Sequence, residues 1–176
     1  HHHSAMNVYR DIALRLRQYH INADPAHPLA LALARQFVLG KLDGACRLLQ
    51  AQLKNYPSDP LRQAVAGLEA ARVSAAQADR LPSLLGIEGS AARAYFAALG
   101  ACCRGGRPMQ GRSSRPPLDP MNALLSFGYT LLGQEIASLL DAIGLDPYIG
   151  FYHVEAHGRP ALALDLLEEV EGEGGA

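Results

Sequence analysis

The sequence predicts a mainly α-helical protein, and three observations lead to this fold class. Ala and Leu dominate the composition, while aromatic residues make up only 6% and Trp is absent, which favours helices over sheets. Apolar residues recur at the three- and four-residue spacing of a helix face, as with Leu33 and Phe37. Pro and Gly separate stretches that are each long enough for a helix. In chain order, the expected helices cover residues 8–19, 29–56, 60–80, 82–101, 121–143 and 161–170.

The first two helices are predicted from apolar spacing and from prolines. Val8, Ile12, Leu16 and Tyr19 lie at helical spacing and predict the apolar face of the first helix. Pro25 and Pro28 end that helix and precede the second one. On the second helix we expect three cations to be solvated, namely Lys41, Arg47 and Lys54.

The remaining boundaries follow from capping residues and breakers. Asp59 is expected to be the N-cap of the third helix, with Pro60 at its first position. A loop rich in Arg, Gly and Pro, residues 104–117, separates the fourth and fifth helices. Asp119 and Pro120 begin the fifth helix, which Gly144 ends. Residues 148–152 form a short extended or apolar piece before the last helix.

Length and composition indicate one soluble globular domain. Residues 1–5 read as an expression tag, residues 6–170 as a single helical domain and residues 171–176 as a flexible tail. With 49% hydrophobic and 19% charged residues the chain is globular rather than disordered. It has no uninterrupted run of roughly 20 apolar residues, so we expect no membrane helix. Three cysteines without metal-ligand spacing indicate free thiols and a cytoplasmic location.

Glu88 is the first candidate for a functional residue. On the fourth helix, Leu84, Ala91, Tyr95 and Leu99 fall at helical offsets from it, which places its carboxylate on the face expected to meet the core. A buried carboxylate requires a cation, hydrogen bonds or a proton. The alternative is a slightly rotated helix with Glu88 at the edge of the solvent.

A second carboxylate, Asp165, is flanked by apolar residues in the last helix. Glu168, three residues later, shares its face. Carboxylate oxygens suit hard divalent cations such as magnesium or manganese, although the same pair could be the solvated end of an ordinary helix. His153 precedes this helix and could complete a metal site, or be a packed or surface histidine; His157, in a Gly- and Pro-rich loop, is a weaker candidate.

Longer stretches of the chain resemble the helical catalytic domain of the CRISPR adaptation integrases (the Cas-one family). One is Gly-Ile-Glu-Gly-Ser-Ala-Ala-Arg-Ala-Tyr-Phe around Glu88, and another is Arg-Pro-Pro-Leu-Asp-Pro-Met-Asn-Ala-Leu-Leu at residues 115–125. The resemblance continues through residues 126–132, 142–153 and 158–169 and includes residues 34–42. It implies that Glu88, His153 and Asp165 are the catalytic, metal-binding triad, with Glu168 as a further acid.

The same resemblance implies an activity. Such an enzyme holds Mg²⁺ or Mn²⁺, and a DNA 3′-hydroxyl attacks a phosphodiester to insert a new spacer into the CRISPR array; with water as the nucleophile the reaction is cleavage. The implied partners are double-stranded DNA (spacer precursor and repeat), the Cas-two protein, a second copy in the full-length protein and, in some systems, a Cas-four nuclease.

Arginines provide the expected DNA contacts. The DNA phosphates could contact Arg93 on the fourth helix and, in the loop, Arg104, Arg107, Arg112 and Arg115. Such contacts do not depend on the base sequence. The alternative for the loop is a solvated connector.

The chain also departs from the family pattern, since we find no β-rich domain before Val8 and no helical continuation after Glu169. The alternative function is therefore a truncated, catalytically inactive helical fragment that only binds DNA or a protein.

Overall fold

The computed structural model describes residues 2–24, 27–102, 109, 111–113, 116–153 and 159–170, without the side chains of residues 2–10 and 168–170. Regular structure in this part of the chain is helical throughout, which confirms the mainly α prediction. The helices are α1 (His2–Ala23), α2 (Pro28–Asn55), α3 (Asp59–Ala76), α4 (Leu81–Cys102), α5 (Pro120–Ala142) and α6 (Ala161–Val170).

Helix boundaries differ from the sequence prediction mainly at α1 and α3. The first helix begins at His2, within the stretch expected to be a tag, and ends at Ala23 rather than Tyr19. The N-cap of α3 is Ser58, not Asp59, because the Ser58 Oγ accepts the hydrogen bond from the Leu61 N–H at 3.4 Å. A hydroxyl at this position satisfies one of the N–H groups that have no partner inside the helix.

The contacts divide the chain into two compact units. Unit 1 comprises His1–Ala34 and Leu131–Leu167, and therefore contains α1, the second half of α5 and most of α6. Unit 2 comprises Arg35–Thr130 and Glu168–Ala176, and contains most of α2, all of α3 and α4, and the first half of α5.

In unit 2, α3 packs against α4. The buried residues Leu61, Val65 and Leu68 of α3 are four and three positions apart, the spacing that places side chains on one helix face. Leu84 and Ala91 form the corresponding buried face of α4. Glu88 lies between them on this face, one turn from each, so the predicted position of its carboxylate is confirmed.

In unit 1, the buried residue among the described side chains of α1, residues 11–23, is polar. Gln18 is buried, whereas Ile12, Leu16 and Tyr19, which the spacing assigned to the apolar face, are exposed. For these three residues that assignment was wrong, because the loop that α1 contacts presents backbone N–H and carbonyl groups, and the Gln18 amide, which both donates and accepts, hydrogen-bonds them. The apolar core of this unit comes from the start of α2, from α5 and α6 and from the loop between these two, and includes Ala34, Leu140, Tyr152 and Leu162.

Helix α5 has an apolar surface that the rest of the described chain leaves mostly uncovered, with Leu124, Phe127 and Leu139 exposed. It is the one helix among the described residues that is long and apolar enough to cross a membrane by length and composition. Core helices of soluble proteins meet the same criteria, so a single helix of this kind is weak evidence for a membrane span. Its apolar run is also interrupted by Asn122 and Glu135.

Replacing Leu68 by Ala tests the core of unit 2. Leu68 is almost completely buried, at 1% exposure, so truncation removes apolar contacts and leaves a cavity. We expect the free energy of unfolding to fall by about 2–5 kcal/mol in urea titrations. The control is Val73→Ala on the exposed side of the same helix, where the change should stay within about 0.5 kcal/mol. Equal effects of the two variants would contradict the assigned core.

Candidate functional site

The loop before α6 is held by two amide side chains of α1, both within unit 1. The Gln18 Nε2 donates to the carbonyl oxygens of Asp146 and Ile149 at 2.7 and 2.8 Å, and the Asp146 N–H donates to the Gln18 Oε1 at 2.8 Å. One turn later the Asn22 Nδ2 donates to the carbonyl oxygen of Gly150. Neither amide was predicted as functional, because their partners lie 128 to 131 residues away in the chain.

Asp165 holds the other side of the same loop. Its Oδ2 accepts the N–H groups of Phe151 and Tyr152 at 2.7 and 3.1 Å, and its Oδ1 accepts the His153 N–H at 2.9 Å. The His153 Nδ1 lies 2.8 Å from the same Oδ1. Asp165 is fully buried, at 0% exposure, and four contacts from nitrogen fill the approximately four lone-pair positions of a carboxylate. This is how the protein satisfies a buried negative group.

Gly150 allows the loop to approach α6 this closely. A Cβ at this position would lie 2.8 Å from the Ala161 Cβ and 3.0 Å from the Asp165 Oδ2. Any larger residue would therefore force the loop away from the carboxylate that its N–H groups bind.

The contact with Asp165 determines which nitrogen of His153 is available for chemistry. Since Nδ1 faces a carboxylate, the neutral ring carries its proton on Nδ1, and Nε2 is the nitrogen with the lone pair. Metal-binding histidines commonly have this arrangement, in which a carboxylate fixes the tautomer and the orientation of the ring.

Glu88 lies in unit 2 and is paired with a cation. The Lys41 Nζ of α2 is 2.6 Å from the Glu88 Oε1, and the two side chains are only 13% and 18% exposed. The expectation that Lys41 is solvated was therefore wrong, whereas Arg47 and Lys54 are exposed as expected. The pair belongs to a pocket with apolar walls, which are formed by Leu42, Ala45, Leu68, Ala91, Ala92 and Tyr95.

A polar cluster organises the start of α5, also in unit 2. Asn122 is fully buried; its N–H donates to the Asp119 Oδ1 at 2.8 Å and its Nδ2 to the Asp119 Oδ2 at 2.6 Å. These hydrogen bonds, the backbone one first, hold the pKa of the Asp119 carboxyl below its usual value. Asp119 therefore caps α5 as predicted.

Arg112 belongs to the same cluster. Its Nη1 donates to the Ser113 carbonyl oxygen, the Asn122 Oδ1 and the Ser126 Oγ at 2.8, 3.1 and 3.2 Å, and its guanidinium lies 5.1 Å from the centre of the Tyr129 ring. These contacts tie the end of the Arg-rich loop to α5, a positional role that the sequence did not indicate.

Of the predicted site residues, the structure brings His153 and Asp165 together in unit 1, and Glu88 lies in unit 2. Within the described ranges, no group of three His, Cys, Asp or Glu side chains is placed so that it could hold a metal ion. Arg93 is exposed on α4. Several other candidates, together with the predicted tail at residues 171–176, lie outside the described residues: Arg104, Arg107, Arg115, His157 and the side chain of Glu168.

Comparison with known proteins shows the family of this chain. The family model described as "CRISPR associated protein Cas1" matches residues 3–171, nearly the whole chain. The chain belongs to the Cas1 family. The resemblance to that family, which was predicted from residues 34–42, 86–96, 115–132, 142–153 and 158–169, is thereby confirmed.

Two curated relatives show how much of a Cas1 protein is present. A CRISPR-associated endonuclease Cas1 of Chlorobaculum tepidum is 42% identical over 169 residues, covering 92% of this chain and 49% of its own length. A Cas4 exonuclease/Cas1 endonuclease fusion of Geobacter sulfurreducens is 39% identical over 175 residues, covering 94% of this chain and 31% of the fusion. The chain thus spans about half the length of a curated Cas1 relative.

Solved structures give the same fold. A Cas1 protein from Thermotoga maritima matches with a TM-score of 0.74 at 27% identity, over 90% of this chain and 48% of that chain. The Cas6-RT-Cas1–Cas2 complex matches with a TM-score of 0.79 at 30% identity, over 93% of this chain and 17% of that chain.

The three side chains predicted to bind a divalent metal differ in whether they have a ligand atom available for it. His153 fits, since its Nδ1 is fixed by Asp165 and its Nε2 has the lone pair. Glu88 fits, because Lys41 contacts Oε1 and no hydrogen bond within the described part of the chain reaches Oε2. Asp165 would have to release an N–H group before either of its oxygens could bind a metal.

Replacing Gly150 by Ala tests the close approach of the loop to α6. The added Cβ would clash with Ala161 and with the carboxylate of Asp165, so we expect the free energy of unfolding to fall by about 1–3 kcal/mol. The control, Gly128→Ala in α5, meets nothing within 4 Å and should be neutral or stabilise by up to about 1 kcal/mol. If both substitutions are tolerated equally in thermal and urea unfolding, the described packing of the loop is incorrect.

Proposed function

We propose that this chain is the catalytic part of a CRISPR adaptation integrase and endonuclease that depends on a divalent metal, Mg²⁺ or Mn²⁺. Its substrates would be double-stranded DNA, as spacer precursor and CRISPR repeat. Membership of the Cas1 family and the names of its endonuclease relatives support the reaction class.

The observation that carries the proposal is the binding of His153 by a fully buried carboxylate. A histidine whose Nδ1 is fixed by a buried Asp, and whose Nε2 has the lone pair, is prepared to bind a cation. Three of the four contacts of Asp165 hold the backbone of the loop, and the fourth, with Nδ1, fixes the His153 ring. We therefore assign His153 and Glu88 to direct metal binding and Asp165 to the orientation of His153.

In this assignment each residue contributes one physical effect. A divalent metal, when bound, stabilises the charge that develops on the phosphate and orients the attacking oxygen. Asp165 keeps the His153 ring from rotating and favours one tautomer. Gln18 and Asn22 fix the loop that carries the histidine. Glu88 supplies an anionic oxygen from a pocket with apolar walls, where water screens charges less than in bulk.

Direct metal binding by Asp165 and Glu168 stays a prediction from the family resemblance. For Asp165 it requires a rearranged loop, because at least one N–H group must leave the carboxylate. A metal-bound crystal structure would distinguish the two roles of Asp165 by the distance from its oxygens to the ion, about 2.1 Å for a Mg²⁺ ligand.

DNA binding is proposed for exposed arginines. Arg93 is exposed one to two turns beyond Glu88 on α4 and is available to a phosphate. Arg104, Arg107 and Arg115 stay predictions. Arg112 is the weakest of the five candidates for DNA binding, since its guanidinium already makes hydrogen bonds inside the protein.

Cas2 and Cas4 are proposed protein partners, in line with the names of the matched complex and fusion protein. A homodimer is proposed for the full-length protein.

The deciding experiment measures Mn²⁺-dependent cleavage and strand transfer on a branched DNA. We expect Glu88→Gln to lower both rates by about 100-fold or more, because an amide lacks the charge that binds the metal, while circular dichroism shows intact helices. Asp165→Asn should lower them by about 10–100-fold, the usual effect of losing an outer partner of a metal ligand.

The matched control is Glu135→Gln, which removes a carboxylate from the exposed side of α5 and should leave both rates unchanged. A Glu88→Gln variant as active as the parent would exclude the proposed site. Metal-independent DNA binding without turnover in every variant is the result expected for the alternative, a fragment that only binds DNA or protein.

A further inference from the structure

One peptide group of the loop before α6 is held at both of its polar ends. Its carbonyl oxygen, that of Gly150, accepts a hydrogen bond from the Asn22 Nδ2 of α1. Its N–H, that of Phe151, donates to the Asp165 Oδ2 of α6 at 2.7 Å. The peptide group is rigid and planar, so a rotation of this group would break both hydrogen bonds. The two helices therefore fix its orientation together.

The same hydrogen bonds continue to His153. The carboxylate of Asp165, which accepts the Phe151 N–H through Oδ2, contacts the His153 Nδ1 through Oδ1 at 2.8 Å. A donor on the Gly150 carbonyl oxygen makes the N–H of the same peptide a stronger donor, because hydrogen bonds in series polarise one another. The series runs from Asn22 through one peptide group and one carboxylate to the imidazole, and it lies entirely within unit 1.

Gln18 holds the residues just before this peptide group. Its amide hydrogen-bonds the carbonyl oxygen of Ile149 and both backbone groups of Asp146. The loop therefore reaches the peptide group from a fixed direction. Among the described side chains of α1, Asn22 is the one whose hydrogen bond reaches the peptide group that Asp165 also binds.

We infer that Asn22 is a positioning residue for His153, which acts through the Gly150–Phe151 peptide group and Asp165. This inference rests on the proposed metal-binding role of His153. Without the donor on Asn22 the peptide group can turn, its N–H leaves the carboxylate, and the imidazole gains a second orientation. Asn22 acts through other residues and not on the substrate, so its loss should lower kcat and leave the KM for DNA unchanged.

The test replaces Asn22 by Asp in the intact chain. The substitution keeps the shape of the side chain but sets an ionised oxygen against the Gly150 carbonyl oxygen, where Nδ2 donates in the parent. The matched control is Asn55→Asp, because Asn55 lies at the exposed end of α2 and the change in charge is the same. If circular dichroism shows that Asn22→Asp loses its helices, Asn22→Ala replaces it with the same expectation.

The readouts are long-range ¹H–¹⁵N NMR of the imidazole and amide hydrogen exchange. In the parent and in Asn55→Asp, His153 should carry its proton on Nδ1 and the Phe151 amide should exchange slowly. In Asn22→Asp both tautomers of the ring should be populated, and the Phe151 amide should exchange about tenfold faster or more, while the amides of α3 and α4 exchange as in the parent. The kcat of Mn²⁺-dependent cleavage should fall about 10-fold or more.

A parent-like His153 tautomer and parent-like Phe151 exchange in Asn22→Asp would overturn the inference. Equally faster exchange at all amides of unit 1 would also overturn it, since a residue that only stabilises the fold gives that result.

Mn²⁺ added to the parent separates these failures from failure of the proposed function, because a bound paramagnetic ion broadens the signals of its ligands. If the ion broadens the His153 ring signals but Asn22→Asp leaves the tautomer unchanged, the metal role of His153 stands and the inference is wrong. If Asn22→Asp changes the tautomer but the ion leaves the ring signals of the parent sharp, the hydrogen-bond series stands and the proposed metal role is wrong.

Discussion

The buried carboxylate of Asp165 is the interaction on which the rest of unit 1 depends. A fully buried negative group destabilises a protein unless hydrogen-bond donors surround it. Here three successive backbone N–H groups and one imidazole nitrogen do so, and all of them come from residues 151–153. The requirement fixes the path of the loop, the close packing of Gly150 on α6 and the orientation of His153. Gln18 and Asn22 hold the same loop from α1, so its position is determined from two sides.

The two proposed site carboxylates are stabilised in different ways, which suits different roles. Asp165 is surrounded by neutral N–H groups and one imidazole, which fill its lone-pair positions and leave it suited to orient a neighbour. Glu88 is paired with a cation, Lys41, and among the described residues the hydrogen bond from Lys41 reaches one of its two oxygens. A group held through one oxygen by an ammonium can exchange that cation for another. This difference, rather than sequence position, distinguishes a positioning residue from a proposed metal ligand.

Much of the fold follows from the sequence, because helices depend on local spacing and on local breakers. Gly144, with φ of 89°, ends α5 as predicted, and α6 has the predicted bounds. The burial of Asp165 was also predictable, since apolar residues flank it on both sides, and the spacing of apolar residues placed Glu88 on the inner face of α4, where its side chain is 18% exposed. Gln18 and Lys41 were not predictable, because their partners lie about 130 and 47 residues away. Arg112 was predicted to bind DNA, because its contacts with Asn122 and Ser126 form only in the folded chain and cannot be seen in the sequence.

The central claim is that Asp165 fixes His153 through Nδ1 so that Nε2 can bind a metal. Long-range ¹H–¹⁵N NMR of the imidazole nitrogens tests this most directly, with the His153 signals assigned by comparison with His153→Gln. The account predicts a protonated Nδ1, an unprotonated Nε2 and a shift of the Nε2 resonance when Mg²⁺ is added. A ring protonated on Nε2 whose resonances do not respond to Mg²⁺ would contradict it.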